Sequence, residues 1–204
     1  MKLITLLSLI ALPIAAQTVT PDNVSARAGE TVTVTIRTSV GTADAYQYKL
    51  VLPAGFVLKS QASAAQGKQI ACKTGDPSMC IIIDATQLQS AAIAAGPLAT
   101  ASVEIPVTTA PGTYQMSTTQ TLAVTPTGSK VTVNGGTAAI TVLPNPFDLT
   151  GDGLVDKADV VAAMALYTAD KPCPTVAGDA VCSFDSVIAV RTEAIRRLTS
   201  GAGL

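Results

Sequence analysis

A single change of period governs this chain. From residue 18 to about residue 142 apolar side chains recur at every second position, and beyond Pro146 they recur at every third or fourth. A period of two sets alternate side chains on opposite faces of a pleated strand, whereas a period near 3.6 sets them on one stripe of a helix. No one kind of element satisfies both, so the chain divides into a strand-built part and a helix-built part. TVTVTIR (31–37) puts Val32, Val34 and Ile36 on one face and threonines on the other, the pattern of a half-buried antiparallel strand. AYQYKLVLP alternates Tyr46, Tyr48 and Leu50 before Pro53 ends the run. MCIIID, ATASVEIPV, YQMSTTQTLAV and AAITVL read as further strands, punctuated by Gly96-Pro97, Pro111-Gly112 and Asn134-Gly135-Gly136, the last as a hairpin turn. Many short strands with such punctuation predict an antiparallel β-sandwich of jelly-roll or immunoglobulin-like kind, so the fold class is mainly β with a small α-helical module. The run ATQLQSAAIAAG (85–96) carries good helix formers and stays open between a loop helix and a polar strand.

LPNPF separates the two parts. Pro144 and Pro146 fix extended backbone and stop both strand and helix, so 144–147 reads as a short stiff linker. After it, ADVVAAMALYTA sets Val160, Val161, Met164, Leu166 and Tyr167 at helical spacing, and FDSVIAVRTEAIRRL does so with Val187, Ile188, Val190, Ile195 and Leu198. A two-helix module of roughly 55 residues has little core of its own and calls for an added constraint. Four cysteines supply part of it: sequence nearness pairs Cys72 with Cys80 and Cys173 with Cys182 as disulfides. Disulfides suit an exported protein. The opening MKLITLLSLIALPIAA has one lysine, an apolar run and small residues at its end, as a secretory signal does. The expected plan is a signal at 1–16, a sandwich at 17–143, a linker at 144–147 and the helical module at 148–204, secreted or held at the cell surface.

Composition removes several functions. Net charge is −1, so no basic field attracts nucleic acid or an anionic membrane. With no histidine and no tryptophan, the chain lacks the commonest general base and the best sugar-stacking platform, and a Ser-His-Asp hydrolase is excluded. A glycoside hydrolase needs two carboxyl groups about 5–9.5 Å apart in a cleft. The sandwich offers Asp22, Glu30, Asp44, Asp76, Asp84 and Glu104, with nothing in their spacing that pairs them. A non-catalytic role is expected. Carbohydrate binding by the sandwich is the alternative, with Tyr46, Tyr48 and Tyr114 as its stacking candidates.

DLTGDGLVDKAD (148–159) concentrates the acids that the rest of the chain lacks. Against a twelve-residue calcium loop, Asp148, Thr150, Asp152, Asp156 and Asp159 fall at positions 1, 3, 5, 9 and 12, Leu154 offers its carbonyl at 7, and Gly153 makes the turn at 6. Oxygen-only ligands in this number suit Ca²⁺ better than Mg²⁺. A second reading is a solvated turn in which Asp156 or Asp159 caps the next helix.

This loop, ending in aspartate and running into an apolar helix with a related segment downstream, resembles the type I dockerin module. The second segment, VAGDAVCSFDSVIAV, matches through Gly178-Asp179 and Asp185, with Ala180 in place of glycine, so the resemblance carries calcium ligands only to the first loop. ARAGETVTVTIR, AYQYKLVLPAGF, GPLATASVEIPV and NGGTAAITV, in that order, resemble a cohesin, the dockerin's partner domain. Together these resemblances imply an extracellular protein–protein interaction component of a polysaccharide-degrading system, or an accessory part of a glycoside hydrolase system. They imply partner contacts at Lys157, Ala158, Met164 and Ala165, although Met164 also reads as a core residue. Arg191, Arg196 and Arg197 read as a polar rim or a solvated face. Partners are then cohesin- or dockerin-bearing proteins, other copies of this chain, or polysaccharide. The stiff linker opposes docking within one chain, so any pairing of the two modules is expected to run head-to-tail between chains.

Overall fold

The computed structural model describes residues 17–39, 41–84, 91–173 and 181–199. The expected signal at 1–16, the first half of the undecided run (85–90), and Gly178, Asp179 and Ala180 lie outside them. In chain order the elements are β1 (Gln17–Pro21), β2 (Val24–Arg27), β3 (Thr31–Thr38), β4 (Ala45–Val51), β5 (Val57–Ser63), β6 (Gln69–Lys73) and β7 (Asp76–Ile83). They continue as β8 (Gly96–Glu104), β9 (Gly112–Val124), β10 (Lys130–Val131), β11 (Val133–Gly135), β12 (Thr137–Leu143), α1 (Lys157–Thr168) and α2 (Phe184–Thr199).

The strands form two sheets. One runs β11-β1-β3-β8-β5, and the other runs β2-β12-β9-β4-β7-β6 with β10 added on β9. Alternation decides which side chains lie between them. Val34 and Ile36 of β3, Tyr46, Tyr48 and Leu50 of β4, and Ile82 of β7 are all within 2% of complete burial. Each large aliphatic side chain so buried contributes on the order of 2 kcal/mol relative to leaving it in water. The two tyrosines keep their hydroxyls bonded inside: Thr38 Oγ1 donates to Tyr46 Oη at 3.1 Å, and Tyr48 Oη donates to Gln61 Oε1 at 2.7 Å. Burial pushes the Tyr48 phenol above its ordinary pKa.

Asn134-Gly135-Gly136 is not the hairpin turn its composition predicts. β11 pairs with β1 in the first sheet while β12 pairs with β9 and β2 in the second, so these glycines carry the chain from sheet to sheet. Neither has positive φ. They are needed for close approach: a Cβ on Gly135 would lie 1.9 Å from the Thr118 carbonyl oxygen, and one on Gly136 would lie 2.2 Å from Thr20 Oγ1. Gly136 N instead donates to the Val19 carbonyl at 2.9 Å, and the Thr118 hydroxyl donates to the same carbonyl, which stitches the sheets together.

Both expected disulfides are formed. Cys72 and Cys80 face each other across β6 and β7 and pin the edge strand of the second sheet. Cys173–Cys182 lies in the core of the helical module, with Ala163, Val187 and Val190. Helical spacing alone places Val161, Met164 and Tyr167 of α1 and Ile188, Ile195 and Leu198 of α2 with the core, and the structure overturns this. All six are exposed, and the inward positions of α2 are Ser186, Val187, Val190, Ala194 and Arg197. No described helix is long and apolar enough to cross a membrane.

Candidate functional site

The acidic loop folds around its own backbone. Gly151 and Gly153 sit at φ +76° and +87°, the left-handed region that other residues enter only with strain. These turns bring backbone N–H groups inward. Asp148 Oδ1 accepts from Gly151 N at 2.7 Å and Oδ2 from Gly153 N at 2.8 Å, and Asp152 Oδ1 accepts from Leu154 N at 2.9 Å. Asp156 is the N-cap of α1: its Oδ1 accepts from Ala158 N at 2.6 Å. Asp159, fully buried at the third helical position, completes a capping box by accepting from Asp156 N at 2.9 Å through Oδ2. Its other oxygen accepts from Leu149 N, Thr150 N and the Thr150 hydroxyl at 2.8, 3.0 and 3.1 Å. The capping reading of the aspartates is therefore realised at Asp156.

The chemistry of the donor set fits a hard cation in kind, and its placement fits in part. The Thr150 hydroxyl lies 3.1 Å from Asp159 Oδ1 and 3.4 Å from Asp148 Oδ1, so oxygens from the first, third and last ligand positions gather on one side of the loop. Asp152 and Asp156 are occupied with local backbone, and Leu154 exposes its side chain while its N–H is tied to Asp152. Among the described residues no three acidic, histidine or cysteine side chains form a metal-holding group.

The start of α2 repeats that of α1 with other chemistry. Ser183 precedes the helix and Ser186 holds its third position; Ser186 N donates to Ser183 Oγ at 3.2 Å and Ser183 N to Ser186 Oγ at 3.3 Å. A shift of 27 positions in sequence aligns Val155, Asp156 and Asp159 with Cys182, Ser183 and Ser186, and also Gly151-Asp152 with Gly178-Asp179. The buried counterpart of Asp159 is thus Ser186, not Asp185, which is exposed. The match of Asp185 to Asp159 is therefore one residue out of register, while that of Gly178-Asp179 to Gly151-Asp152 keeps the 27-residue shift.

Among the described residues, apolar surfaces on α1, on α2 and on the sandwich are open to water. On α1, Lys157, Ala158, Met164 and Ala165 are all exposed, with Val161 and Tyr167 beside them, so Met164 is not a core residue. On α2, Phe184, Ile188, Ile195 and Leu198 form a second stripe, and the Tyr167 and Phe184 rings, 6.1 Å apart, connect the two. On the sandwich, register aligns Leu122, Gln47 and Ile81 in a row across β9, β4 and β7. With Ala45, Ile83 and Val124 they line a shallow depression of about 120 Å³. Farther along β4, Lys49 Nζ meets Asp76 Oδ2 at 2.8 Å, and this bond, with one from the Ser78 hydroxyl, holds the Asp76 carboxyl at about 2. Sequence reasoning missed this sheet face, although its signal was present: if Tyr46, Tyr48, Cys80 and Ile82 point inward, the isoleucines at 81 and 83 must point out.

No protein-family model matches the chain, and no curated protein matches it. Solved structures do. The sixth cohesin of scaffoldin B from Acetivibrio cellulolyticus, solved in complex with a dockerin, aligns with a TM-score of 0.52 at 15% identity over 63% of this chain and 99% of its own. CaCohA2 from Clostridium acetobutylicum gives 0.51 at 16% identity over 64% and 92%. The non-cellulosomal cohesin of the archaeon Archaeoglobus fulgidus gives 0.50 at 15% over 62% and 92%. The sandwich has the cohesin fold. That share of the chain is the length of the sandwich, and the likeness does not extend to the helical module.

Within the cohesin-fold sandwich the carboxyl groups of Asp22, Glu30, Asp76, Asp84 and Glu104 are spent on ion pairs. Asp22 meets Arg37 at 2.7 Å, Asp84 meets Lys68 at 3.4 Å, and Glu30 and Glu104 pair with Arg27 and Lys59. The tyrosines are spent on the core: Tyr46 and Tyr48 are buried, and Tyr114 packs its ring 5.3 Å from Phe56. Among the described residues this leaves the sandwich without an exposed aromatic platform for sugar.

Proposed function

We propose that the protein is an extracellular, non-catalytic interaction module of the cohesin–dockerin kind, serving polysaccharide degradation, in which calcium orders the helical module for docking on a protein partner. One observation carries this reading: the acidic loop and the exposed apolar face of α1 belong to a single capped unit. Asp156 and Asp159 start the helix, and Lys157, Ala158, Val161, Met164 and Ala165 display its outer face. A helix apolar on both sides needs cover on both. The core covers the side of Ala163, and the opposite side is open.

Asp148, Thr150 and Asp159, with Asp152, Asp156 and the Leu154 carbonyl, would hold the calcium ion. The ion supplies neutralisation of clustered carboxylates, which otherwise repel. The cohesin-like sheet face, apolar around Ile81, Ile83, Leu122 and Val124, is the sandwich's docking surface, and its occupants are dockerin-bearing proteins or the helical module of another copy.

The test is calorimetric titration of the full chain with calcium, then with isolated cohesin and dockerin modules in calcium and in chelator. One equivalent of calcium bound, and module binding lost in chelator, supports the proposal. Absence of calcium binding, or module binding indifferent to chelator, refutes it.

A further inference from the structure

Groups far apart in the sequence meet in a buried contact. Arg197, in the last turn of α2, is 6% exposed, and its Nη2 donates to the Ala28 carbonyl at 3.2 Å across 169 positions of sequence. Its Nε donates to Glu193 Oε1 at 2.9 Å, while both Glu193 oxygens accept from Arg196 at 2.7 Å. A guanidinium can be desolvated when its donors are met by a carboxylate and a carbonyl, and its planar fork suits two acceptors at once. The accepting carbonyl sits on a firm support. In the turn between β2 and β3, Gly29 N donates to the Ile105 carbonyl at 2.9 Å and Glu30 N to the Arg27 carbonyl at 3.1 Å.

At the other end of the helical module the linker folds onto the module itself. Asn145 Oδ1 accepts from Phe147 N at 2.9 Å, the Asn145 carbonyl accepts from Asp148 N at 3.1 Å, and Phe147 packs against the helical core. Asn145 and Phe147 border the same crevice, of about 210 Å³, as Arg27, Glu30 and Arg196. With both modules in place, Ile81 on the sheet face and Val161 and Met164 on α1 remain 37%, 60% and 42% exposed. In this pose neither docking face covers the other.

We propose that Arg197 is an intramolecular clasp that fixes the helical module on the β2–β3 turn, so that the chain presents its helix and sheet faces together as one rigid body instead of docking its own module on its own sheet. The last clause rests on the proposed function; the clasp itself does not.

Backbone ¹⁵N relaxation of the full chain reads it without any partner. The expected result is one rotational correlation time shared by sandwich and helix amides, lost in Arg197→Met, which keeps the apolar stem but has no donors, and retained in Arg196→Met, whose exposed side chain serves Glu193. Separate correlation times in the wild type overturn the clasp, as does a shared time in Arg197→Met. If Arg197→Met fails to keep its helical circular dichroism, the wild-type measurement decides alone. A failed cohesin or dockerin titration bears on the proposed function and leaves this measurement standing.

Discussion

Asp159 accepts four hydrogen bonds and shows no surface to solvent, so its loss is felt with or without a cation. Replacing it with alanine strands the N–H groups of Leu149, Thr150 and Asp156, and an unmet buried donor costs about 1–3 kcal/mol. Asp159→Ala is expected to destabilise the helical module by about 3 kcal/mol in chelator, read as a lower melting temperature at 222 nm, while Asp159→Asn, which keeps one acceptor oxygen, loses less. Equal melting of Asp159→Ala and wild type in chelator would contradict this account. Glu193 sets a pH dependence. Hydrogen bonds from Arg196 first, and from Arg197 next, outweigh burial and hold its carboxyl at about 2, below the ordinary glutamate range. A carboxyl depressed on folding adds stability above its unfolded value, near ~4.3, and loses it as pH falls towards the folded value. The helical melting temperature of wild type should therefore fall more steeply between pH 5 and about 2 than that of Glu193→Gln, and parallel curves would remove Glu193 from the account.

At the scale of elements, strands were more legible than helices. In β3 and β4 polar and apolar residues alternate, so the inward face follows from sequence. In α1 the residues at 160, 161, 163, 164 and 166 are all apolar, and periodicity cannot say which face turns inward; the small side chain of Ala163 wins because it admits the Cys173–Cys182 bridge and α2 at close range. The turn at Gly153 was legible because it needs a residue free to take positive φ, yet the second segment's counterpart of Asp159 was not. There a serine pair does the capping that an aspartate pair does in the first, and a search for carboxylates passes over it. Faces make a separate prediction. Met164→Lys lies on exposed helix surface, so it should change stability by no more than about 0.5 kcal/mol. In calcium it should weaken binding of the full chain to any cohesin that the wild type binds by about tenfold or more, an anchor lost from the middle of a docking face. Unchanged affinity by calorimetry would exclude the α1 face as the contact.

Across the whole molecule the two modules differ in what holds them. The sandwich is closed by two sheets and a continuous core from Val19 to Val142, whereas the helical module rests on a handful of side chains, one disulfide and one acidic loop. Scanning calorimetry should therefore resolve two transitions, the helical one lower. Substituting both Cys173 and Cys182 with serine should lower that transition by about 2–3 kcal/mol and leave the sandwich transition in place. Calcium should act on the same transition in the opposite sense. With a dissociation constant near ~10⁻⁴ M, millimolar calcium stabilises a single-site module by about 1–2 kcal/mol. The sandwich holds no loop of this kind among its described residues, so its transition should stay fixed as calcium is added. A contact made chiefly by one arginine fixes orientation without merging two cores, and the clasp and the separate transitions are compatible for that reason. Should both transitions rise together with calcium, the interface between the modules would have to be larger than the Arg197 contact, and the helical module could no longer be treated as a separately stabilised unit.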